Sequence, residues 1–147
     1  MIAVDTQLLV YAFRKDAVFH SESVRALRKL AESGQPWAIP WPCVHEFLNI
    51  ATHPKIYTPI AEVEDALRAL LAWKKSPSLE LLGETDDYFE ILSDILQSTK
   101  VRGPTIHDAR IAAICVAHGV KTLWTIDRDF SRFQMINANN PLIVSPE

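Results

Sequence analysis

The first eleven residues, MIAVDTQLLVY, constrain the fold more than any other stretch. A short apolar run, Ile2-Ala3-Val4, ends at Asp5, and Leu8, Leu9 and Tyr11 then recur at helix-compatible spacing. A brief apolar run that passes straight into helical periodicity reads as a buried strand feeding a helix, the repeating unit of a parallel α/β sheet. Ligands of such sheets sit outside the carboxyl ends of the strands, so Asp5 stands where chemistry is placed.

The same alternation continues along the chain. A helix over Thr6–Phe13 is followed by a second from His20 to Ser33, with Val24, Leu27, Leu30 and Ala31 on one stripe and Gly34 as its stop. Trp37-Ala38-Ile39 is a candidate strand ended by Pro40. Pro42 suits the first turn of the next helix, Trp41–Thr52, which carries Glu46 and stops before Pro54. Thr58-Pro59 has the form of an N-cap and first helical residue, opening a helix to Trp73 with a stripe of Ile60, Val63, Leu67, Leu70 and Leu71. Leu79–Leu82 is a weak strand. Thr85 is expected to cap a helix with Asp86 and Asp87 in its first turn and Tyr88, Ile91, Leu92, Ile95 and Leu96 inward. A helix over Thr105–His118, a strand over Val120–Trp124, a loop over Thr125–Phe130 and an edge strand near Gln134–Ile136 complete the order. The pattern predicts an α/β fold of three layers, a central parallel sheet flanked by helices, as one domain over residues 1–147.

A chain of 147 residues buries a real core, roughly 68–70% of its unfolded surface, without staples. Both cysteines, Cys43 and Cys115, fall within helical segments, which points to reduced thiols and a cytoplasmic protein rather than a disulfide framework. No basic-then-apolar leader opens the chain and no apolar run approaches ~18 residues, so neither secretion nor a membrane span is expected. The net charge of −3 opposes a phosphate-binding role taken alone, but clustered acids that hold divalent cations would reverse it locally.

Four acids bear on function: Asp5, Glu46, Asp108 and Asp127. Each has a structural explanation. Asp5 can cap the helix behind it, Asp108 stands at capping-box spacing from Thr105, Asp127 can close a turn, and Glu46 can be a solvated helical residue. Jointly they say more. Asp5 and Asp127 each follow an apolar strand, Asp108 opens the helix that feeds the last long strand, and Glu46 lies about one turn into a helix that follows a strand. All four can therefore reach one sheet edge. Carboxylates held together repel unless a cation lies between them, and hard oxygen donors suit Mg²⁺ or Mn²⁺ rather than zinc. The chemistry implied is metal-assisted phosphodiester hydrolysis. His45, His53, His107 and His118 have no zinc-like spacing, and neither a phosphate loop nor a nucleophile elbow is present. Thr6 and Thr125 adjoin two of the acids and are candidate hydrogen-bond partners for them.

At these residues the chain resembles the PIN domain family, and within it the VapC-type toxins of bacterial toxin–antitoxin pairs. VDTQLLVYAFRKD with His20 is similar to the family's opening, PWAIPWPCVHEFLNIATHP to its second acidic block with Glu46, GPTIHDARIAAICVAHGV to the third with Asp108, and LWTIDRDFSRF to the fourth with Asp127. Gln7 departs from the family's more usual asparagine. The resemblance implies a Mg²⁺-dependent endoribonuclease that cuts RNA (tRNA, rRNA or mRNA) in a single strand or loop, leaving a 5′-phosphate and a 3′-hydroxyl. It also implies a homodimer and inhibition by a cognate antitoxin. On this reading Asp5 and Asp108 ligate metal, Asp127 completes the cage or holds a second ion, and Glu46 orients or deprotonates the attacking water. Arg14, Lys15, Arg110, Arg128 and Arg132 are candidates for phosphate contact, and Asp129 for an accessory acid. A haloacid-dehalogenase-like phosphatase would need an aspartate where Gln7 stands, and a receiver domain would need a phosphoacceptor aspartate where Gly83 and Glu84 stand. The non-enzymatic alternative is a PIN-like scaffold that binds RNA or protein without cleavage.

Overall fold

The computed structural model describes residues 1–143. Its elements are β1 (Ile2–Val4), α1 (Thr6–Phe13), α2 (His20–Glu32), β2 (Trp37–Pro40), α3 (Trp41–Ala51), α4 (Val63–Lys74), β3 (Leu79–Leu82), α5 (Tyr88–Thr99), α6 (Ile106–Ala117), β4 (Thr122–Trp124) and β5 (Asn137–Asn139). Short 3₁₀ turns cover Gly103–Thr105 and Arg128–Arg132. The strands form one sheet in the order β3-β2-β1-β4-β5, and every neighbouring pair is parallel. Three layers result, with six α-helices flanking the sheet.

β1 is central because its residues tolerate burial on both faces: Ala3 and Val4 are fully enclosed, as are Trp37, Ala38 and Ile39 of β2 and Leu123 of β4. From β1 the chain moves outward through β2 and β3 on one side, and β4 and β5 add on the other. The order therefore reverses between β1 and β4, which opens a crevice at their carboxyl ends. Asp5 donates its N–H to the Trp124 carbonyl at 2.9 Å, so the two strands stay paired up to the acid itself.

Most helix bounds follow the caps and breakers in the sequence. Gly34 and Gly119, with φ of +78° and +70°, stop α2 and α6 in the left-handed region that glycine enters without steric cost. Three expectations need correction. First, α4 begins at Val63 rather than at Pro59. Arg14 donates from Nη1 to the Pro59 carbonyl at 3.0 Å and from Nε and Nη2 to Asp16, and its guanidinium lies 4.5 Å from the centre of the Tyr57 ring. That clamp holds the Pro59 segment against the end of α1 and out of helical geometry. The stripe expected to be buried is also largely outward: Ile60, Val63, Leu67 and Leu71 are exposed, and Ala66 is the one fully buried α4 residue.

Second, α5 starts at Tyr88, and Thr85 donates to the Asp87 carboxylate at 2.5 Å instead of capping the helix. Asp86 and Asp87 thus precede the first turn, which holds Glu90. Third, the last strand lies at Asn137–Asn139, three residues beyond Gln134–Ile136. Its register comes from backbone bonds, Asn137 N–H to Lys121 O at 2.6 Å and Thr125 N–H to Asn139 O at 2.9 Å.

Candidate active site

Asp5 is 7% exposed and sits at the turn from β1 into α1. Its Oδ1 accepts the Thr6 N–H at 2.8 Å, so the capping role read from the sequence is real. It is not the whole account. Oδ2 accepts the Thr125 hydroxyl at 2.7 Å, and the Cys43 thiol donates to Oδ1 at 3.5 Å. Burial pushes the Asp5 carboxyl up, and the donors from Thr125, Thr6 and Cys43 oppose that rise. Burial, with the Asp5 charge beside it, lifts the Cys43 thiol far above its ordinary range, so this cysteine is a fixed donor and not a nucleophile.

Asp108 is half-buried in the first turn of α6. Thr105 makes no capping bond, so the capping-box explanation is not realised. Burial, then the charges of Asp127, Asp5 and Asp129, raise the Asp108 carboxyl to about 6, with Arg132 acting weakly against them. Asp127 is exposed beyond β4; its Oδ1 accepts the Asp129 N–H at 2.9 Å, and its own N–H donates to Thr125 Oγ1 at 3.0 Å. Thr125 therefore ties the two strand-end acids together through one buried hydroxyl. Glu46 is exposed on α3 and faces the same space.

Asp5, Glu46, Asp108 and Asp127 all line one cleft of about 750 Å³ at the switch between β1 and β4. The charges of Asp127 and Asp5 act on Asp108, and that of Asp127 acts on Asp5; Glu46 stands on the wall. Among the described residues no three Asp, Glu, His or Cys side chains are yet gathered closely enough to cage an ion. Tyr11 and Asn49 also line the cleft, and neither was anticipated. Helical spacing carried the signal, since Tyr11 follows Gln7 by four residues and Asn49 follows Glu46 by three, which puts each pair on a shared face.

A model of the PIN domain matches residues 2–135 of this chain. The chain belongs to the PIN domain family. It is 27% identical to ribonuclease VapC48 of Mycobacterium tuberculosis over 138 residues, 93% of this chain and 94% of that protein. Its fold is similar to that of VapBC2 from Rickettsia felis bound to a promoter DNA fragment, with a TM-score of 0.67, 20% identity and coverage of 95% of this chain and 98% of that one. It is also similar to VapC20 of Mycobacterium tuberculosis, described as a sarcin-ricin loop cleaving toxin, with a TM-score of 0.64, 19% identity and coverage of 89% and 93%.

The basic side chains of this PIN domain divide sharply. Arg14 is buried and spent on Asp16 and Pro59, which removes it from the candidates for phosphate contact. Arg110 pairs with Glu84 at 3.0 Å, although it lines the cleft, and Arg132 lies 3.7 Å from Asp129. Lys15 and Arg128 are exposed and have no ion pair among the described residues.

Two predictions follow from this geometry. In metal-free PIN domain, Asp108 binds its proton more tightly when folded than when unfolded, so stability falls as pH rises from about 4 to about 6 and the penalty is complete above that. Asp108→Asn removes the charge, and it should raise the melting temperature of the metal-free protein near pH 8 by roughly 2–4 °C and not near pH 4. A variant no more stable at either pH would show that Asp108 carries no such strain. Thr125→Val deletes a hydroxyl that donates to Asp5 and accepts from Asp127. It should cost about 1–3 kcal/mol in urea unfolding, because a buried carboxylate oxygen loses its donor.

Proposed function

We propose that this chain is a divalent-metal-dependent endoribonuclease of the toxin type, acting in the cytoplasm on RNA phosphodiester bonds and restrained by a cognate antitoxin. The observation that carries the reading is the convergence of Asp5, Asp108 and Asp127 at one sheet edge, with no ion pair to Asp108 among the described residues. A protein gains nothing in stability from holding carboxylates in that way, whereas a divalent cation relieves the repulsion. The naming of VapC48 as a ribonuclease and of VapC20 as a sarcin-ricin loop cleaving toxin supports the same conclusion.

The donor set fits a hard ion, since the carboxylates of Asp5, Asp108 and Asp127 line one cleft. Mg²⁺ is the natural choice and Mn²⁺ a substitute. Asp5 and Asp108 would hold it, with Asp127 completing the set. When bound, the ion supplies positive charge against the phosphoryl oxygens and lowers the pKa of water at the site. Thr125 fixes the Asp5 carboxylate so that its free lone pairs keep one direction. Glu46, reaching in from α3, orients the attacking water and takes its proton. Of the five basic candidates, Lys15 and Arg128 are the two without an ion pair among the described residues, and they would meet the RNA backbone.

The partners expected with this activity are an antitoxin protein and a second copy of the chain. The exposed apolar residues of α3 and α4, Trp41, Leu67 and Leu71, border a groove of about 370 Å³ that is available to a protein partner. No helix among the described residues is long and apolar enough to cross a membrane.

The test is cleavage of a mixed tRNA and rRNA pool by purified, antitoxin-free protein, with and without Mg²⁺ or Mn²⁺, beside Asp5→Asn. Discrete metal-dependent fragments that the variant does not produce are expected. The spacing of the acids is the one observation that favours a non-catalytic scaffold. RNA binding without cleavage in either metal would establish that reading instead.

A further inference from the structure

We propose that a second cavity, directly beside the acidic cleft, seats a nucleobase of the RNA strand next to the phosphodiester that is cut. The proposal rests on the ribonuclease reading above and deepens it, by naming where base identity is sensed. The cavity is about 600 Å³, within the range of about 300–1,000 Å³ common to small-ligand sites. Ile126 and Asp127 line both cavities, so the two spaces meet along the segment that carries a proposed metal ligand. A strand with its phosphate at the acids has its neighbouring base within reach of the second cavity.

The lining has the chemistry of base recognition. Phe19 stands at its rim and is 44% exposed, an aromatic face left to solvent. Its ring lies 5.9 Å from that of Tyr11, tilted by 43°, and Tyr11 lines the acidic cleft. The pair thus forms an aromatic ridge between the cavities, a platform of the kind on which unpaired bases stack. Ala138 and Leu142 supply an apolar wall. Asn140 is half-buried, and its Oδ1 accepts the Leu142 N–H at 2.9 Å, which leaves the amide NH₂ to donate to a base edge. Ser131 and Arg128 are exposed, with no side-chain hydrogen bond among the described residues. A hydroxyl and a guanidinium placed beside an aromatic face can read a base and hold its phosphate.

Phe19 occupies the N-cap position of α2, and its ring lies outside the buried core, so circular dichroism should show each Phe19 variant folded. The experiment uses single-stranded RNA with a randomised central region, in Mg²⁺, and sequences the ends that cleavage creates. Wild type, Phe19→Ala, Phe19→Trp and Asn140→Ala are compared. Wild type is expected to favour particular bases at a position adjoining the cut. Phe19→Ala should flatten that preference and lower the rate about fivefold to a hundredfold, as loss of a base–aromatic stack does. Phe19→Trp should retain the rate, and Asn140→Ala should change which base is preferred. An unaltered base profile and rate in both alanine variants would overturn the proposal.

A parallel arm measures binding of fluorescein-labelled RNA from the same pool to Asp5→Asn protein, with and without Phe19→Ala. If wild type cuts nothing, the ribonuclease reading fails by itself. Weaker binding with Phe19→Ala would then still place a base in this cavity, and equal binding would remove it.

Discussion

Asp5→Asn is expected to lower metal-dependent RNA cleavage by a factor of at least ~10², about 3 kcal/mol or more of transition-state stabilisation. The change keeps the size of the side chain and removes its charge. It also leaves one acceptor oxygen where the carboxylate has two. Asp5 uses both, Oδ1 for the Thr6 N–H and the Cys43 thiol and Oδ2 for the Thr125 hydroxyl. The amide can satisfy only one side without turning an N–H toward a donor. Burial already disfavours the ionised carboxylate, so a neutral side chain should keep the protein folded. Initial rates at saturating Mg²⁺, with circular dichroism as the folding check, decide the matter. Near-wild-type cleavage by folded Asp5→Asn would remove Asp5 from the mechanism.

Phe47→Ala should destabilise the protein by roughly 3–5 kcal/mol, the range for emptying a buried aromatic site. Phe47 is fully enclosed on α3, with Phe13 of α1 edge-on at 5.6 Å and Trp73 of α4 at 5.3 Å. Among the described residues it is the one ring that meets aromatic partners on two other helices, and each such pair adds about 0.5–1.5 kcal/mol beyond burial. The melting temperature should fall by about 10 °C. Since Glu46 is the preceding residue on the same helix, cleavage should also fall in whatever fraction stays folded. A loss below about 1.5 kcal/mol in urea unfolding would mean that α1, α3 and α4 close over the gap.

What could be read from the sequence divides along physical lines. β1, Asp5 and α1 were legible to the residue because a short apolar run and a helical stripe meet at a capping acid, and nothing elsewhere in the fold competes with those local preferences. α4 was not. Its periodicity reports an apolar stripe but not whether the fold supplies something to cover it, and here Leu67 and Leu71 face outward. The cap signature at Thr58-Pro59 lost to Arg14, a residue 45 positions away that holds the Pro59 carbonyl. β5 reads Asn-Ala-Asn, a strand with no hydrophobic signature, whose place comes from backbone pairing to β4. At the site the acids themselves were visible as strand-end and helix-start residues. The Cys43 thiol on Asp5 was hidden, because its spacing from Asp5 has no periodic meaning.

The hydrogen bond between Thr125 and Asp5 joins residues 120 positions apart. During synthesis domains generally fold from the amino end as they emerge, and long-range parallel pairing forms late. In a nascent chain β1 and its aspartate emerge well before β4, Thr125 and Asp127. The cleft is therefore an outcome of completion. On the ribonuclease reading proposed above, a chain that stops before β4 should not cleave RNA however well its first half folds, because it lacks both Thr125 and Asp127.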